Sequence, residues 1–71
     1  MPDYKCYFWH SDGHIIGVER LWCSSSDDAA RRHARALTQR MREHHPALRS
    51  VSIYDCGRQV SHEPIAANSN L

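Results

Sequence analysis

The stretch that decides the fold is YKCYFWHSDGHIIGVERLWC, residues 4–23, in which two strand-like runs flank an Asp-Gly pair. Aromatic residues recur from Tyr4 to His10, and this composition is typical of a β-strand. The pair Asp12-Gly13 between apolar runs is a strong short-range signal for a hairpin turn. We therefore predict an antiparallel hairpin in which Ile15 to Cys23 returns beside the first strand.

The length of the turn sets which residues of the hairpin lie opposite one another. A two-residue loop places Tyr7 opposite Val18 and Trp9 opposite Ile16. Because side chains alternate between the two faces of a strand, this pairing also predicts which side chains share a face. Gly17, which has no side chain to pack, marks a weak point or a bulge in the second strand.

A long helix is predicted to follow the hairpin. Ser25 can accept hydrogen bonds from the backbone N–H groups of the first turn, and Asp28 can bond back to the cap. The helix is expected to end near His44 or His45, because Pro46 disfavours helical geometry in the residue before it. One narrow apolar stripe at helical spacing can pack on a sheet, and it contains Ala30, Ala34, Leu37 and Met41.

Two further segments complete the predicted domain. Leu48 to Asp55 alternates apolar and polar residues like a strand, and Arg58 to His62 fits a short fourth strand after a break. Residues 63–71 are polar and small, and we expect them to form a disordered tail. The prediction is a single two-layer α+β domain over residues 1–62, of order β-β-α-β(-β), with a mostly antiparallel sheet and the helix on one face.

Strand alternation gives the predicted sheet two apolar faces, and one helix can cover only one of them. The helix-facing set is predicted to contain Tyr4, Cys6, Phe8, Ile15, Leu21, Cys23, Val51 and Ile53. The opposite face is predicted to carry an interaction surface formed by Lys5, Tyr7, Trp9, Ile16, Val18, Arg20, Trp22 and Tyr54. Soluble monomers rarely leave an apolar patch of this size exposed.

Three explanations account for a second apolar face. The first is a homodimer through this surface, since two-fold homodimers are the commonest assemblies. The second is a different protein partner, because Trp, Tyr and Arg are enriched at interfaces. The third is that a bulge at Gly17 turns part of the second strand over, or that the tail folds back over the patch.

Composition argues against several classes of protein. The chain has 71 residues, and a domain of this length has a thin hydrophobic core. Its formal net charge of +1 indicates no particular kind of partner. It lacks an apolar run of about 20 residues, and its first nine residues are too polar for a secretory signal. We therefore expect a cytoplasmic protein that does not bind a membrane. The three widely spaced cysteines match neither a disulfide scaffold nor a Cys-x-x-Cys zinc module.

The chemically active residue types form no catalytic pattern in the sequence. His10 and His14 flank the hairpin turn without an evident third ligand, whereas zinc sites use three or four. Cys23 precedes the helix start and is the best candidate for a reactive thiol, yet no base or oxyanion-hole motif accompanies it. We therefore expect no catalytic residue, no metal site and no cofactor.

Arginines are concentrated in the predicted helix, and they are the basis of an alternative function. Arg31, Arg35 and Arg42 are predicted to lie close to one helix face with Arg32 beside it, where they can contact phosphates or another polyanion. The aromatic sheet face is a second candidate surface, on which single-stranded bases can stack. The sequence pI of about 7.8 argues against both, since it is below that of a dedicated nucleic-acid domain.

Several short motifs follow one another along the chain in a recognisable order. They are Tyr4-Lys5-Cys6-Tyr7-Phe8, Gly13-His14-Ile15, Cys23, Asp28-Ala29-Ala30 with Ala34 and Leu37, and Val51-Ser52-Ile53-Tyr54. Their order, over about positions 4–60, resembles a family of very short alphaproteobacterial proteins of rhizobial type, which has Trp in place of Tyr54. The resemblance implies a small α+β fold and brings no activity, substrate or cofactor. A fainter likeness, in strand-helix order alone, is to antitoxin domains of toxin–antitoxin pairs, and it implies a regulatory protein that binds a small partner.

Overall fold

The computed structural model describes residues 3–22 and 24–65, which form one four-stranded sheet and one helix. The elements along the chain are β1 (Tyr4–His10), β2 (Ile15–Arg20), α1 (Asp27–His44), β3 (Leu48–Asp55) and β4 (Arg58–Pro64). The strands lie in the order β2-β1-β3-β4, and each neighbouring pair is antiparallel. The predicted two-layer α+β fold and its fourth strand are confirmed. Across the described ranges, no helix has the length and apolar character needed to cross a membrane.

The hydrophobic core lies between α1 and one face of the sheet. Its buried side chains are Tyr4, Cys6, Phe8, Leu21, Ala30, Ala34, Leu48, Val51 and Ile53. Ala30 and Ala34 are the buried residues of α1, and their short side chains let the helix lie close to β3. Phe8 is completely buried, and its burial contributes about 1.5–3 kcal/mol. The predicted helix-facing set is correct on β1 and β3 and for Leu21, whereas Cys23 lies outside the described residues.

The β1–β2 hairpin has a three-residue loop in place of the predicted two-residue loop. The His10 N–H donates to the His14 carbonyl at 2.7 Å, which leaves Ser11, Asp12 and Gly13 as the loop. Gly13 has a φ of 95°, in the left-handed region that closes three-residue hairpin loops. β2 begins at Ile15 as predicted, but the additional loop residue pairs Trp9 with Ile15 in place of the predicted Ile16.

A bulge in β2 compensates for the longer loop. Trp9 pairs with Ile15 and Phe8 pairs with Gly17, so that Ile16 is an extra residue between the two pairs. From Gly17 onward the predicted register is correct. The predicted faces of the two isoleucines were wrong, because Ile16 packs against the core whereas Ile15 lies on the opposite side of the sheet. The bulge predicted near Gly17 is therefore present. It exchanges the faces of Ile15 and Ile16, so that the sheet side opposite α1 still carries an isoleucine.

The helix begins one residue later than the predicted cap indicates. Ser26, and not Ser25, is the N-cap, and its hydroxyl accepts a hydrogen bond from the Ala29 N–H at 3.2 Å. Asp27, the first residue of α1, accepts a hydrogen bond from the Tyr4 hydroxyl at 2.7 Å. This contact ties the first residue of α1 to β1.

An ion-pair cluster joins the start of α1 to the β3–β4 turn. Arg58 Nη2 donates to Asp27 Oδ1 at 3.3 Å and to Asp55 Oδ2 at 3.2 Å. Hydrogen bonds from Tyr4 and then from Arg58 hold the pKa of Asp27 below its ordinary value. The pKa of Asp55 is lowered mainly by the backbone N–H of Asp3. Through these two carboxylates, Arg58 links the start of α1 to the β3–β4 turn.

Strand β4 extends to Pro64, two residues beyond the predicted end of the domain. Ile65 packs against the core, and its N–H donates to the Arg49 carbonyl at 2.7 Å. The prediction of a disordered tail was therefore wrong for residues 63–65, because pairing with β3 and burial of Ile65 outweigh the polar composition. Residues 66–71 of that predicted tail lie outside the described residues.

Candidate interaction surface

The sheet face turned away from α1 carries a group of side chains named here the open face. It is formed by Lys5, Tyr7, Trp9, Ile15, Val18, Arg20, Trp22 and Tyr54. Ile15 and Val18 are each 47% exposed, and Trp22 is 76% exposed. Because α1 lies against the other face, these apolar side chains have no described helix packed over them.

The Trp9 side chain reaches across the sheet toward β3 and is held there by a buried serine. Its Nε1–H donates to Ser52 Oγ on β3 at 3.1 Å, and Ser52 Oγ lies 2.7 Å from Nδ1 of His62 on β4. Ser52 is 2% exposed although its position in β3 faces away from α1. Because an indole N–H only donates, the Ser52 hydroxyl can donate its own proton to a neutral His62, whose ring proton is then on Nε2. The hydrogen bonds fix the orientation of the indole ring.

Aromatic and cationic contacts order the rest of the open face. The rings of Tyr7 and Tyr54 meet edge to face, with centroids 5.4 Å apart and an interplanar angle of 86°. The Arg20 guanidinium carbon lies 5.0 Å from the centroid of the Trp22 ring, a cation–π contact. Lys5 pairs with Arg20 across β1 and β2. Two cations therefore lie side by side at one end of the open face.

A shallow depression of about 270 Å³ follows β1 on this side of the sheet. It runs from Cys56 and Gly57 in the β3–β4 turn to Ile15 beside the hairpin loop. Its volume is below the roughly 300–1,000 Å³ of most small-molecule sites. The depression therefore fits a few side chains of a macromolecule better than a whole cofactor.

The structure brings six of the eight predicted surface residues onto one sheet face. Trp22 lies in the turn after β2, which ends at Arg20 and not at the predicted Cys23, and contacts the face through Arg20. Ile16 is the other exception, and Ile15 takes its place because of the bulge in β2. No sequence pattern indicated that Ser52 and His62 meet. Their pairing depends on a bulge at Val60, because Ile53 pairs with Ser61 whereas Tyr54 pairs with Gln59. The sequence predicted only that Ser52 shares a side of β3 with Tyr54, and therefore lies on the face turned away from α1.

The arginines predicted to contact a polyanion do not form one continuous row. Arg31, Arg35 and Arg42 line a groove of about 210 Å³ between α1 and β4, named here the α1–β4 groove. Arg32 is exposed and is not part of the groove lining. The four side chains therefore belong to two parts of the helix surface, and their role in binding a nucleic acid stays a prediction.

The described thiols and metal-binding residue types do not converge on a reactive centre. Cys6 is buried and Cys56 is exposed, and both are free. Burial raises the pKa of Cys6 to about 12, so near neutral pH it is a thiol and not the reactive thiolate. Cys23, the predicted best nucleophile, lies outside the described residues. Within residues 3–22 and 24–65, no three or more His, Cys, Asp and Glu side chains are grouped so that they could hold a metal ion.

Comparison with known proteins found no matching family model, no matching curated protein and no matching solved structure. The resemblance to very short alphaproteobacterial proteins therefore stays a prediction. The function of the chain has to be inferred from the geometry of the open face and of the α1–β4 groove.

Proposed function

We propose that the chain is a non-catalytic interaction module that pairs with a second copy of itself through the open face. The observation that carries this proposal is the exposure of Ile15 and Val18 on the sheet face that α1 leaves uncovered, together with exposed Trp22 beside Arg20 at its end. Clustered aromatic and aliphatic side chains of this kind are typical of protein interfaces. Their burial against a second copy is favourable by about 25 cal/mol for each Å² of apolar surface.

The distribution of charge favours a second copy as the occupant of the open face. Lys5 and Arg20 lie at one end of the face, and Asp12 lies in the hairpin loop beyond the other end. The His14 N–H lowers the pKa of Asp12, so this carboxylate is charged near neutral pH. Stacked sheets keep their strand directions within about 30° of each other. In a two-fold pair with antiparallel strands, the cations of each copy lie over the acidic loop of the other.

The aromatic part of the open face is ordered without a partner. Trp9 is held by its hydrogen bond to Ser52, and Tyr7 is held against Tyr54. Immobilising a flexible side chain at an interface costs about 0.5–1.5 kcal/mol. Side chains that are already fixed avoid most of this cost, which supports a binding role for the face.

A catalytic role for the open face is disfavoured by the surroundings of the contact between Ser52 and His62. Ser52 Oγ and His62 Nδ1 are 2.7 Å apart, a spacing that a nucleophile and its base also show. Ser52 is only 2% exposed, however, and its oxygen accepts a hydrogen bond from Trp9. An oxygen that is covered and already hydrogen-bonded is poorly placed to attack a substrate, so we assign the pair to holding the indole.

The test is the dimer dissociation constant of Trp22→Ala, measured by sedimentation equilibrium. Trp22 is 76% exposed in one copy, so its truncation changes the stability of that copy by no more than about 0.5 kcal/mol. Truncating a tryptophan that is buried in an interface costs about 2 kcal/mol, and a two-fold dimer carries Trp22 twice. We therefore expect the dissociation constant to rise by about 30-fold or more.

Arg32→Ala is the matched control, because it also truncates a long exposed side chain but lies on α1, away from the open face. We expect it to change the dissociation constant less than about 2-fold. Equal dissociation constants for the wild type and Trp22→Ala would contradict the proposal. A wild-type chain that stays monomeric would also contradict it, and would assign the open face to a different protein.

A further inference from the structure

The α1–β4 groove is a second surface on the other side of the sheet, independent of the open face. α1 packs mainly on β3 and leaves the edge strand β4 largely uncovered. α1 and β4 run in the same direction. Arg58 at the start of β4 contacts Asp27 at the start of α1, and Glu63 farther along β4 approaches Arg35 farther along α1. The groove between them is therefore open to solvent along its length.

The groove combines an aliphatic floor with a cationic rim. The floor includes Val51 and Ile53 of β3 and, at its far end, Ile65. The rim is formed by three arginines of α1, which are Arg31, Arg35 and Arg42. A ligand that matches this lining must itself carry both apolar groups and negative charge.

The acids of the chain neutralise the rim only in part. Arg31 Nη1 lies 2.6 Å from Asp28 Oδ1 on the same helix. Arg35 Nη2 lies 3.8 Å from Glu63 Oε2, which is near the outer limit of an ion pair. Arg42 forms no ion pair with a described carboxylate. A net positive charge therefore remains along the groove.

Ser61 adds an unused hydrogen-bonding group to the lining. Its Oγ is buried and has no hydrogen-bond partner. Among the buried side-chain oxygens and nitrogens of residues 3–22 and 24–65, it is the one left unpaired. Ser61 also lines the groove. A buried hydroxyl without a partner costs about as much as a lost hydrogen bond. Rotation of the Ser61 side chain toward the groove would let the backbone N–H or carbonyl of a bound peptide satisfy it.

We propose that the α1–β4 groove binds an extended acidic peptide segment of a partner protein. Arg31 and Arg42 are separated by a rise of about 16 Å along the helix. Five residues of extended chain cover the same length at about 3.3 Å each. Side chains of such a chain alternate between two sides, so that carboxylates face the arginine rim while aliphatic side chains face the floor.

Nucleic acid is the other polyanion that arginines bind, and the groove is less suited to it. The described lining contains no aromatic side chain on which a base can stack. Glu63 also lies within the groove, where it repels a continuous row of phosphates. A peptide with separated carboxylates avoids Glu63 and covers the aliphatic floor.

The experiment measures binding of a fluorescein-labelled peptide, Glu-Leu-Glu-Val-Glu-Leu-Glu, to the full chain by fluorescence anisotropy. Because one exposed ion pair contributes modestly, we expect Arg42→Ala to weaken binding about 3- to 5-fold. Glu63→Gln frees Arg35 and removes a repulsive charge, and we expect binding about 2- to 5-fold tighter. Arg32→Ala removes an equal charge outside the groove and should change binding less than about 2-fold.

Controls separate this proposal from its alternatives and from the proposed dimer. Thermal unfolding verifies that each variant is folded, and Trp22→Ala should bind the peptide as the wild type does, because the two surfaces are independent. Equal weakening by Arg32→Ala and Arg42→Ala would overturn the proposal in favour of diffuse charge attraction. Tighter binding of a single-stranded oligonucleotide than of the peptide, or no peptide binding at about 1 mM, would also overturn it.

Discussion

Replacing Cys56 with asparagine should stabilise the protein through the β3–β4 turn. Cys56 and Gly57 are the two residues between β3 and β4, and their φ angles are 51° and 89°. Positive φ at both central positions is the pattern of a type I′ hairpin turn, for which Asn-Gly is a preferred sequence. Cysteine has no such preference, and the left-handed region costs an ordinary residue about 1–2 kcal/mol.

The size of the effect follows from that conformational cost. If asparagine recovers about half of it, Cys56→Asn raises the free energy of unfolding by about 0.5–1 kcal/mol. For a domain of this size, 1 kcal/mol changes the Tm by about 4–8 °C, so we expect an increase of about 2–8 °C. Cys56→Val should instead lower the Tm, because a β-branched residue is least tolerant of positive φ.

The assay is thermal unfolding followed by circular dichroism, at one fixed protein concentration and under reducing conditions. Cys56→Ser is the control, since it removes the exposed thiol without adding a preference for positive φ. A Tm for Cys56→Asn no higher than that of Cys56→Ser would refute the role assigned to the turn.

Three further predictions concern buried or charged groups. Iodoacetamide at about pH 8, followed by peptide mapping, should modify Cys56 well before Cys6, because burial raises the pKa of the Cys6 thiol to about 12; equal rates would contradict this. The pKa of Asp27 is lower in the folded state than its ordinary 3.8. The stabilising contribution of the Asp27 carboxylate is therefore present above pH 3.8 and is lost as the pH falls through the folded pKa. The free energy of unfolding should fall less steeply with acid in Asp27→Asn than in the wild type. Ser52→Ala should lower the free energy of unfolding by about 1–2 kcal/mol in urea, because two hydrogen-bonding partners lose their contact; Ser50→Ala on the same face, with no such contact among the described residues, should cost less.

The central strands could be predicted from the sequence because burial fixes their register. Cys6 and Phe8 alternate with Tyr7 and Trp9 along β1, and a shift of one residue would exchange the two sets. Only one of the two arrangements places the smaller and less polar set, Cys6 and Phe8, beneath the alanines of α1. The open face was therefore predictable as a surface before its geometry was known.

The edge strand β2 could not be predicted with the same precision. Ile15 and Ile16 are chemically identical, so exchanging their faces changes the buried apolar surface very little. The choice between a two-residue and a three-residue loop depends on backbone geometry at Gly13, and the bulge at Ile16 then restores the register. Gly17 indicated that β2 could contain a bulge, but the hydrophobic pattern places neither the extra residue at Ile16 nor the third loop residue.

Contacts that depend on a bulge or on the placement of the helix could not be predicted from the sequence either. The contact between Ser52 and His62 requires both the strand order and the bulge in β4. The α1–β4 groove requires that α1 lie over β3 and leave β4 uncovered. Helical spacing predicted that Arg31, Arg35 and Arg42 share a face, but which strand they approach depends on the placement of the whole helix.

The most direct test of the central claim is the molar mass of the wild-type chain, measured by light scattering on a sizing column under reducing conditions. Pairing through the open face predicts a mass of twice the 8.2 kDa of one chain at high concentration, falling toward one chain on dilution. A mass of one chain at every concentration up to about 1 mM would contradict self-association through this face.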